Sequence, residues 1–344
     1  MEQKKFDYNS FIGMILLAGI LLWWMDSNKE EVLLKETTTD IVAPVAKETN
    51  DSFTTTKPVF ESESSKTALL KNKLGAFAYS AIQGEKGVRV IENELLKLTI
   101  DNKGGQIVEA LIKNYKTYDS LPLYMIKDNN ASFNINFGTN DNRILNTKDL
   151  LFIPTLSKSN GNDVLSMKLK VSDTQFLEYR YEMKPNEYMV DFSVRSQGLS
   201  SVINGSNAIQ LDWSLKGYRH EKSIRTENTM YSYYYYKSDD EVEYLGLEDN
   251  EVVNNMDWVS YKQHFFSSIL VSDKAFNNAA IASIDLVKDQ AIDTVFTKKF
   301  TLKTPLELSN GELNYNMKWY YGPSDYKKLS KYEGTDLNET ADLG

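Results

Sequence analysis

LSMKLKVSDTQFLEYRYEMKPNEYMVDFSV, residues 165–194, alternates apolar and polar side chains three times over. Leu165, Met167, Leu169 and Val171 make the first run. Leu177, Tyr179, Tyr181 and Met183 make the second, and Tyr188, Val190, Phe192 and Val194 the third, with SDT and KPNE as the breaks. A period of two sends alternate side chains to opposite faces, so each run reads as a strand with one buried face. Short turn-forming breaks between neighbours predict an antiparallel meander.

The same pattern continues on both sides. Leu96, Leu98 and Ile100 alternate before the turn residues DNKGG (101–105), and QIVEALI follows, which is a hairpin signal. Ile209, Leu211, Trp213 and Leu215 repeat it, as do Tyr315, Met317, Trp319 and Tyr321. One all-β architecture therefore runs from about residue 75 to 321, and a large antiparallel sandwich is expected. Gly322 and Pro323 end the last strand. From Ser324 to Glu333 the shared face of Tyr326, Leu329 and Tyr332 predicts one short amphipathic helix docked on the sandwich, closed by Gly334.

The 344 residues allow about two domains or one large β unit with tails. A quarter of them are charged, and mean hydropathy is negative, which excludes a polytopic membrane protein. With 39 basic against 48 acidic residues and a net charge of -9, the chain lacks the positive footprint that nucleic acid requires. Zero cysteine removes disulfides, thiol nucleophiles and cysteine-based zinc sites, and two histidines make a histidine-rich metal site improbable.

Between Tyr8 and Met25 no charged residue occurs, and FIGMILLAGILLWWM is apolar throughout. Eighteen helical residues reach roughly 27 Å, enough to span a bilayer. Lys4 and Lys5 precede the run while Asp26, Glu30 and Glu31 follow it, so the N-terminus is expected in the cytoplasm and the remainder across the membrane. Phe11, Ile12, Leu16, Leu17, Ile20, Leu21 and Leu22 form the lipid-facing body of this anchor, with Trp23 and Trp24 at its outer interface. No small-residue pair suited to signal cleavage follows. The next stretch, rich in Thr, Ser, Glu and Lys, reads as a disordered tether. The expected organisation is anchor 1–25, tether 26–75, sandwich 76–334 and a linker 335–344.

Several residues invite a chemical reading. His220-Glu221 is an acid/base pair by composition, but neighbours on a strand face opposite ways, so a solvated basic loop is the expectation there. His264 reads as a strand residue. Asp239, Asp240, Glu241, Glu243, Glu248, Asp249 and Glu251 lack the ordered spacing of a calcium loop and read as a solvated acidic loop. Tyr231 and Tyr233 to Tyr236 could stack on sugars or peptides, though ordinary strand packing is the simpler reading. Ser324 and Lys327 match a serine-x-x-lysine spacing without its companion motifs. No phosphate cradle or nucleophile elbow is present, so neither a catalytic residue nor a cofactor is expected.

Three segments carry a family resemblance. MEQKKFDYNSFIGMILLAGILLWW (1–24) resembles the start of YidC-type membrane protein insertases of Bacteroidetes-like bacteria. NELLKLTIDNKGGQIVEALIKNYKTYDSLPL (93–123) and WVSYKQHFFSSIL (258–270) resemble the first hairpin and an internal aromatic-glutamine strand of that family's periplasmic domain. WYYGPSDYKKLSKYE (319–333) is similar to its last strand and following helix. The resemblance implies a transmembrane helix, a tether and a galactose-mutarotase-like β-supersandwich, followed by a five-helix insertase core that this sequence does not contain. It also implies nascent membrane proteins as clients, Sec translocon components as partners, the inner membrane as location, and no covalent catalysis. A membrane-tethered glycan- or peptide-binding sandwich is the alternative expectation, and a sugar epimerase a more distant one.

Overall fold

The computed structural model describes residues 63–341. The anchor residues Phe11 to Trp24 and the tether up to residue 62 lie outside the described residues. Among the described residues no helix is long and apolar enough to cross a membrane.

The chain enters through α1 (Glu63–Leu74), a turn at Gly75–Phe77, and α2 (Ala78–Gln83). The tether expected through residue 75 thus gives way to helix twelve residues earlier. α1 buries no residue, so it has no apolar stripe to announce it. Its support is electrostatic: Glu63 lies in the first turn, Lys71 and Lys73 in the last, and the Arg143 guanidinium donates to the Asn72 carbonyl. α2 is pinned by Ser80, whose hydroxyl accepts from the Lys170 backbone N–H at 2.8 Å.

β1 (Val88–Glu92), β2 (Leu96–Asp101), β3 (Ile107–Lys116) and β4 (Pro122–Ile126) form a four-stranded antiparallel sheet in that order. The predicted DNKGG turn joins β2 to β3. Gly105 sits there at φ +61°, where a Cβ would meet the Phe152 and Tyr179 rings at 3.1–3.2 Å. Only glycine fits both the dihedral and the space.

β5 (Ala131–Gly138) and β6 (Ile144–Asn146) belong to a second sheet. β7 (Ile153–Ser159), β8 (Asn162–Lys170), β9 (Phe176–Met183) and β10 (Met189–Gln197) follow, and the last three are the meander read from residues 165–194. After β11 (Ile209–Tyr218), a helical turn α3 (Ile224–Thr226) runs into a wider π turn, Glu227–Tyr231. Next come β12 (Ser232–Ser238), β13 (Glu241–Leu245), β14 (Asp249–Val253), β15 (Met256–Gln263), β16 (Phe266–Phe276), β17 (Ala279–Asp285), β18 (Phe296–Leu306) and β19 (Asn314–Pro323).

The nine-stranded sheet is ordered β13-β12-β15-β16-β19-β10-β9-β8-β7, and the six-stranded sheet β14-β17-β18-β11-β5-β6. They face each other across a ring-filled core. Phe133 of β5 meets Tyr179, Phe192 and Trp319 edge-on at 5.5–5.6 Å, and Trp213 stacks on Tyr261 at 3.9 Å. Three of the buried tyrosines find a partner for the hydroxyl: Tyr179 donates to Thr147, Tyr181 to the Gly105 carbonyl, Tyr261 to the Trp213 carbonyl. The four-stranded sheet packs alongside, Tyr115 meeting Phe266 edge-on at 5.1 Å. The architecture is the large antiparallel sandwich expected from the alternation.

Candidate functional site

The C-terminal segment is built directly onto the outer face of the nine-stranded sheet. β19 ends where Pro323 pairs with Phe266, and the Ser324 N–H donates to the Phe265 carbonyl at 2.7 Å. Asp325 caps the next helix, α4 (Tyr326–Leu329), by accepting from the Lys328 N–H at 3.0 Å. The expected helix to Glu333 is thus a single turn. Gly334 at φ +75° and Asp336 at φ +57° reverse the chain, and Leu337–Thr340 adds a 3-10 turn.

Of the predicted docking face, Leu329 is fully buried and Tyr332 is half-buried, meeting Tyr320 edge-on at 5.8 Å and donating to Glu187 at 3.1 Å. Tyr326, by contrast, is 49% exposed. A one-turn helix cannot bring three side chains spaced over six positions onto one plane, which is why Tyr326 falls outside the contact. Burial and the neighbouring Glu187 carboxylate hold the Tyr332 hydroxyl well above the usual phenol range.

Residues 335–341, expected as a linker, are packed. Leu337 and Thr340 are fully buried. Three side chains from adjacent strands clasp the segment: the Trp258 indole donates to the Thr335 carbonyl at 2.7 Å, Lys262 Nζ to the Thr340 carbonyl at 2.8 Å, and Lys237 Nζ to Asp336 at 2.8 Å. The Asp336 carboxylate raises the Lys237 ammonium above its ordinary value. Sequence reading missed Lys237, Trp258 and Lys262. Their only signal is the position of two lysines and a tryptophan opposite the core-facing set on β12 and β15.

His220 is 4% exposed, not solvated. Its ring Nε2 faces the Tyr124 carbonyl at 3.1 Å, which assigns the proton to Nε2, and burial pulls its pKa down to about 4. Glu227 is fully buried and accepts from the backbone N–H groups of His220 and Glu221 at 3.0–3.1 Å; burial pushes it up to about 7. Glu221 faces His264 Nδ1 at 3.3 Å instead of its sequence neighbour. His264 lies in the β15–β16 turn at φ +40°, stacked on Tyr231 and Phe265, and is not a strand residue. These groups hold a loop together; they do not converge on a reacting atom.

The acidic segment forms β13 and β14, with Tyr236 donating to Glu243 and Glu251. Pairing with β12 and β17 is what turns an acidic run into strand. Tyr234 and Tyr236 face the interior, whereas Tyr233 and Tyr235 lie with Tyr244 on the outer side. Ser324 shares a hydrogen bond with Ser267 at 2.7 Å. An open groove of about 460 Å³ on the outer face is lined by Arg180, paired with Glu182, by Asn316, bonded to both Arg195 and Asp273, and by Lys318. Among the described residues no three His, Cys, Asp or Glu side chains gather as a metal site.

Residues 89–344 match the family model described as the YidC periplasmic domain. A membrane protein insertase YidC from Porphyromonas gingivalis (strain ATCC 33277) is 30% identical over 351 residues, covering 98% of this chain and 54% of the relative. One from Parabacteroides distasonis is 27% identical over 354 residues, with 98% and 55% covered. The chain thus spans about half the length of the curated relatives it matches. Among solved structures, a galactose mutarotase related enzyme from Lactobacillus acidophilus aligns with a TM-score of 0.39 and 10% identity, covering 68% of this chain and 97% of that one. Since the family model covers most of the chain, including the sandwich and its clasped C-terminal segment, the chain belongs to the YidC periplasmic domain family.

Proposed function

We propose that this chain is the anchored periplasmic portion of a membrane protein insertase. Residues 1–25 would hold it in the inner membrane with the N-terminus in the cytoplasm, and the sandwich would stand in the periplasm and assist nascent membrane proteins, alone or beside the Sec translocon. The observation that carries the reading is the match over residues 89–344, together with relatives named as insertases that align along 98% of the chain.

The task is physical, not covalent. Moving polar groups through hydrocarbon costs several kcal/mol each, so an insertase lowers that cost by hydration and positioning. The clasped segment 324–341 fits a positioning role, because it fixes how the sandwich meets whatever follows it. Depleting the protein in its native bacterium and following protease accessibility of newly made single-span membrane proteins tests the reading. Insertion at the undepleted rate would refute it.

A further inference from the structure

The β3–β4 loop, the β4–β5 turn and the end of β11 border an open cleft of about 350 Å³, within the roughly 300–1,000 Å³ of small-molecule sites. Leu121 and Pro122 give it an exposed apolar lip, and Tyr124 and Tyr218 supply two half-buried rings. Phe296 packs on Tyr218 at 4.9 Å, and Lys127 Nζ lies over the Tyr124 ring at 4.7 Å. The Tyr218 hydroxyl donates to the Lys127 carbonyl at 3.1 Å; burial, and after it the Asp128 carboxylate, holds that hydroxyl above the usual phenol range. His220 completes the lining at 4% exposed. Its Nε2 donates to the Tyr124 carbonyl, which leaves Nδ1 a buried acceptor with no partner among the described residues.

The charges lining the cleft balance, Lys127 and Arg219 against Asp119 and Asp128. Arg219 is committed to Tyr118, lying over its ring at 4.7 Å and donating to its hydroxyl. Asp119 uses one carboxylate oxygen on the Thr117 hydroxyl. Lys127 Nζ and the Asp128 carboxylate have no ion pair among the described residues. An anionic ligand would meet Asp119 and Asp128, a cationic one Lys127 and Arg219, and a wholly apolar one would leave His220 Nδ1 buried and unmatched. What fits is a neutral ligand with apolar faces and several hydroxyls. A hydroxyl both donates, as Nδ1 and the carboxylates require, and accepts, as the Lys127 ammonium requires. A sugar ring has that build, with C–H faces for the tyrosines and hydroxyl edges for the polar groups. An extended peptide fits less well: β4 is the edge strand of its sheet, yet the Tyr124 and Met125 carbonyls already accept from His220 and Asn130, so no open ladder is offered there.

We propose that this cleft binds a pyranose unit of a neutral saccharide, stacked on Tyr124 and Tyr218, with its hydroxyls on His220 Nδ1, Asp128 and Lys127. The event is binding alone; no bond is made or broken. None of these residues belongs to the β12 tyrosine run or to the clasped segment 324–341, and the inference does not rest on the insertase reading. Asp128 at φ +50° and Asn129 at φ +58° form the turn that presents Lys127 and Asp128. Glycine takes that conformation freely, so Asp128→Gly removes the carboxylate and keeps the turn. Lys127→Met removes the ammonium and keeps an apolar stem over Tyr124.

The chain has two histidines, His220 and His264, so nitrogen-15 histidine labelling isolates two imidazoles, which a His264→Gln variant assigns. The full chain in phosphatidylcholine nanodiscs would be titrated with maltose, cellobiose and N,N′-diacetylchitobiose, and with the capped neutral peptide Ala-Pro-Tyr-Ala. At least one disaccharide should bind saturably and shift the His220 Nδ1 signal while leaving those of His264 in place. Lys127→Met and Asp128→Gly should each raise its Kd about tenfold, the weight of one hydrogen bond to a charged group, with thermal unfolding unchanged. No saturation by any of the three sugars, saturation that leaves His220 Nδ1 unmoved, an affinity indifferent to both variants, or binding of the peptide alone would each overturn the proposal.

Discussion

Lys262 Nζ donates to the Thr340 carbonyl at 2.8 Å with both residues buried, joining β15 to a segment 78 positions away. An unpaired buried carbonyl costs about 1–3 kcal/mol, so Lys262→Met should lower stability by that amount. Amide exchange should speed up first in residues 335–341. Native exchange there would show that the clasp does not hold the segment.

Leu329 and Tyr326 share a helical turn but not an environment, fully buried against 49% exposed. Leu329→Ala should cost about 3 kcal/mol in urea unfolding, the usual range for a buried leucine. Tyr326→Ala should stay within about 0.5 kcal/mol. Equal costs would contradict the docking geometry.

Gly105 needs both a positive φ and an empty Cβ position against Phe152 and Tyr179, whereas Gly161, at φ +85°, has nothing within 4 Å. Gly105→Ala should therefore lower stability by about 2 kcal/mol or more, combining backbone and packing costs. Gly161→Ala carries only the backbone part, about 1 kcal/mol. Thermal unfolding of the two variants side by side separates the terms.

His220 and Glu227 oppose each other in pH dependence. His220 titrates near 4 folded against 6.5 ordinarily, so its contribution is present above about pH 6.5 and lost as pH falls toward 4. Glu227 titrates near 7 folded against 4.5 ordinarily, so its contribution is present below about pH 4.5 and lost as pH rises through 7. Each is worth about 3 kcal/mol in full, and between roughly pH 4.5 and 6.5 the slopes cancel. Glu227→Gln should make stability rise with pH across that window, and His220→Gln should make it fall. Parallel profiles for wild type and both variants would count against this account.

The alternation in residues 165–194 was enough to place β8, β9 and β10, because a period of two with turn-forming breaks leaves little else for a chain to do. Leu329 was legible as a docked residue for the same reason of pattern. α1 was not legible, since it buries no face and leaves no periodicity to read. The acidic run at 239–251 was likewise hidden. Its strand character comes from pairing with β12 and β17, and two of its carboxylates, Glu243 and Glu251, take a hydrogen bond from Tyr236.

The sequence alone determined the all-β class, the hairpin at DNKGG and the family resemblance, since local periodicity and residue identity act over a few neighbouring positions. Only the tertiary structure decided that Glu221 faces His264 instead of His220, that Glu227 lies buried beneath both, and that Lys237, Trp258 and Lys262 close over residues 335–340. Those relationships depend on which strands lie side by side and which loops meet at one end, and no local pattern encodes strand order.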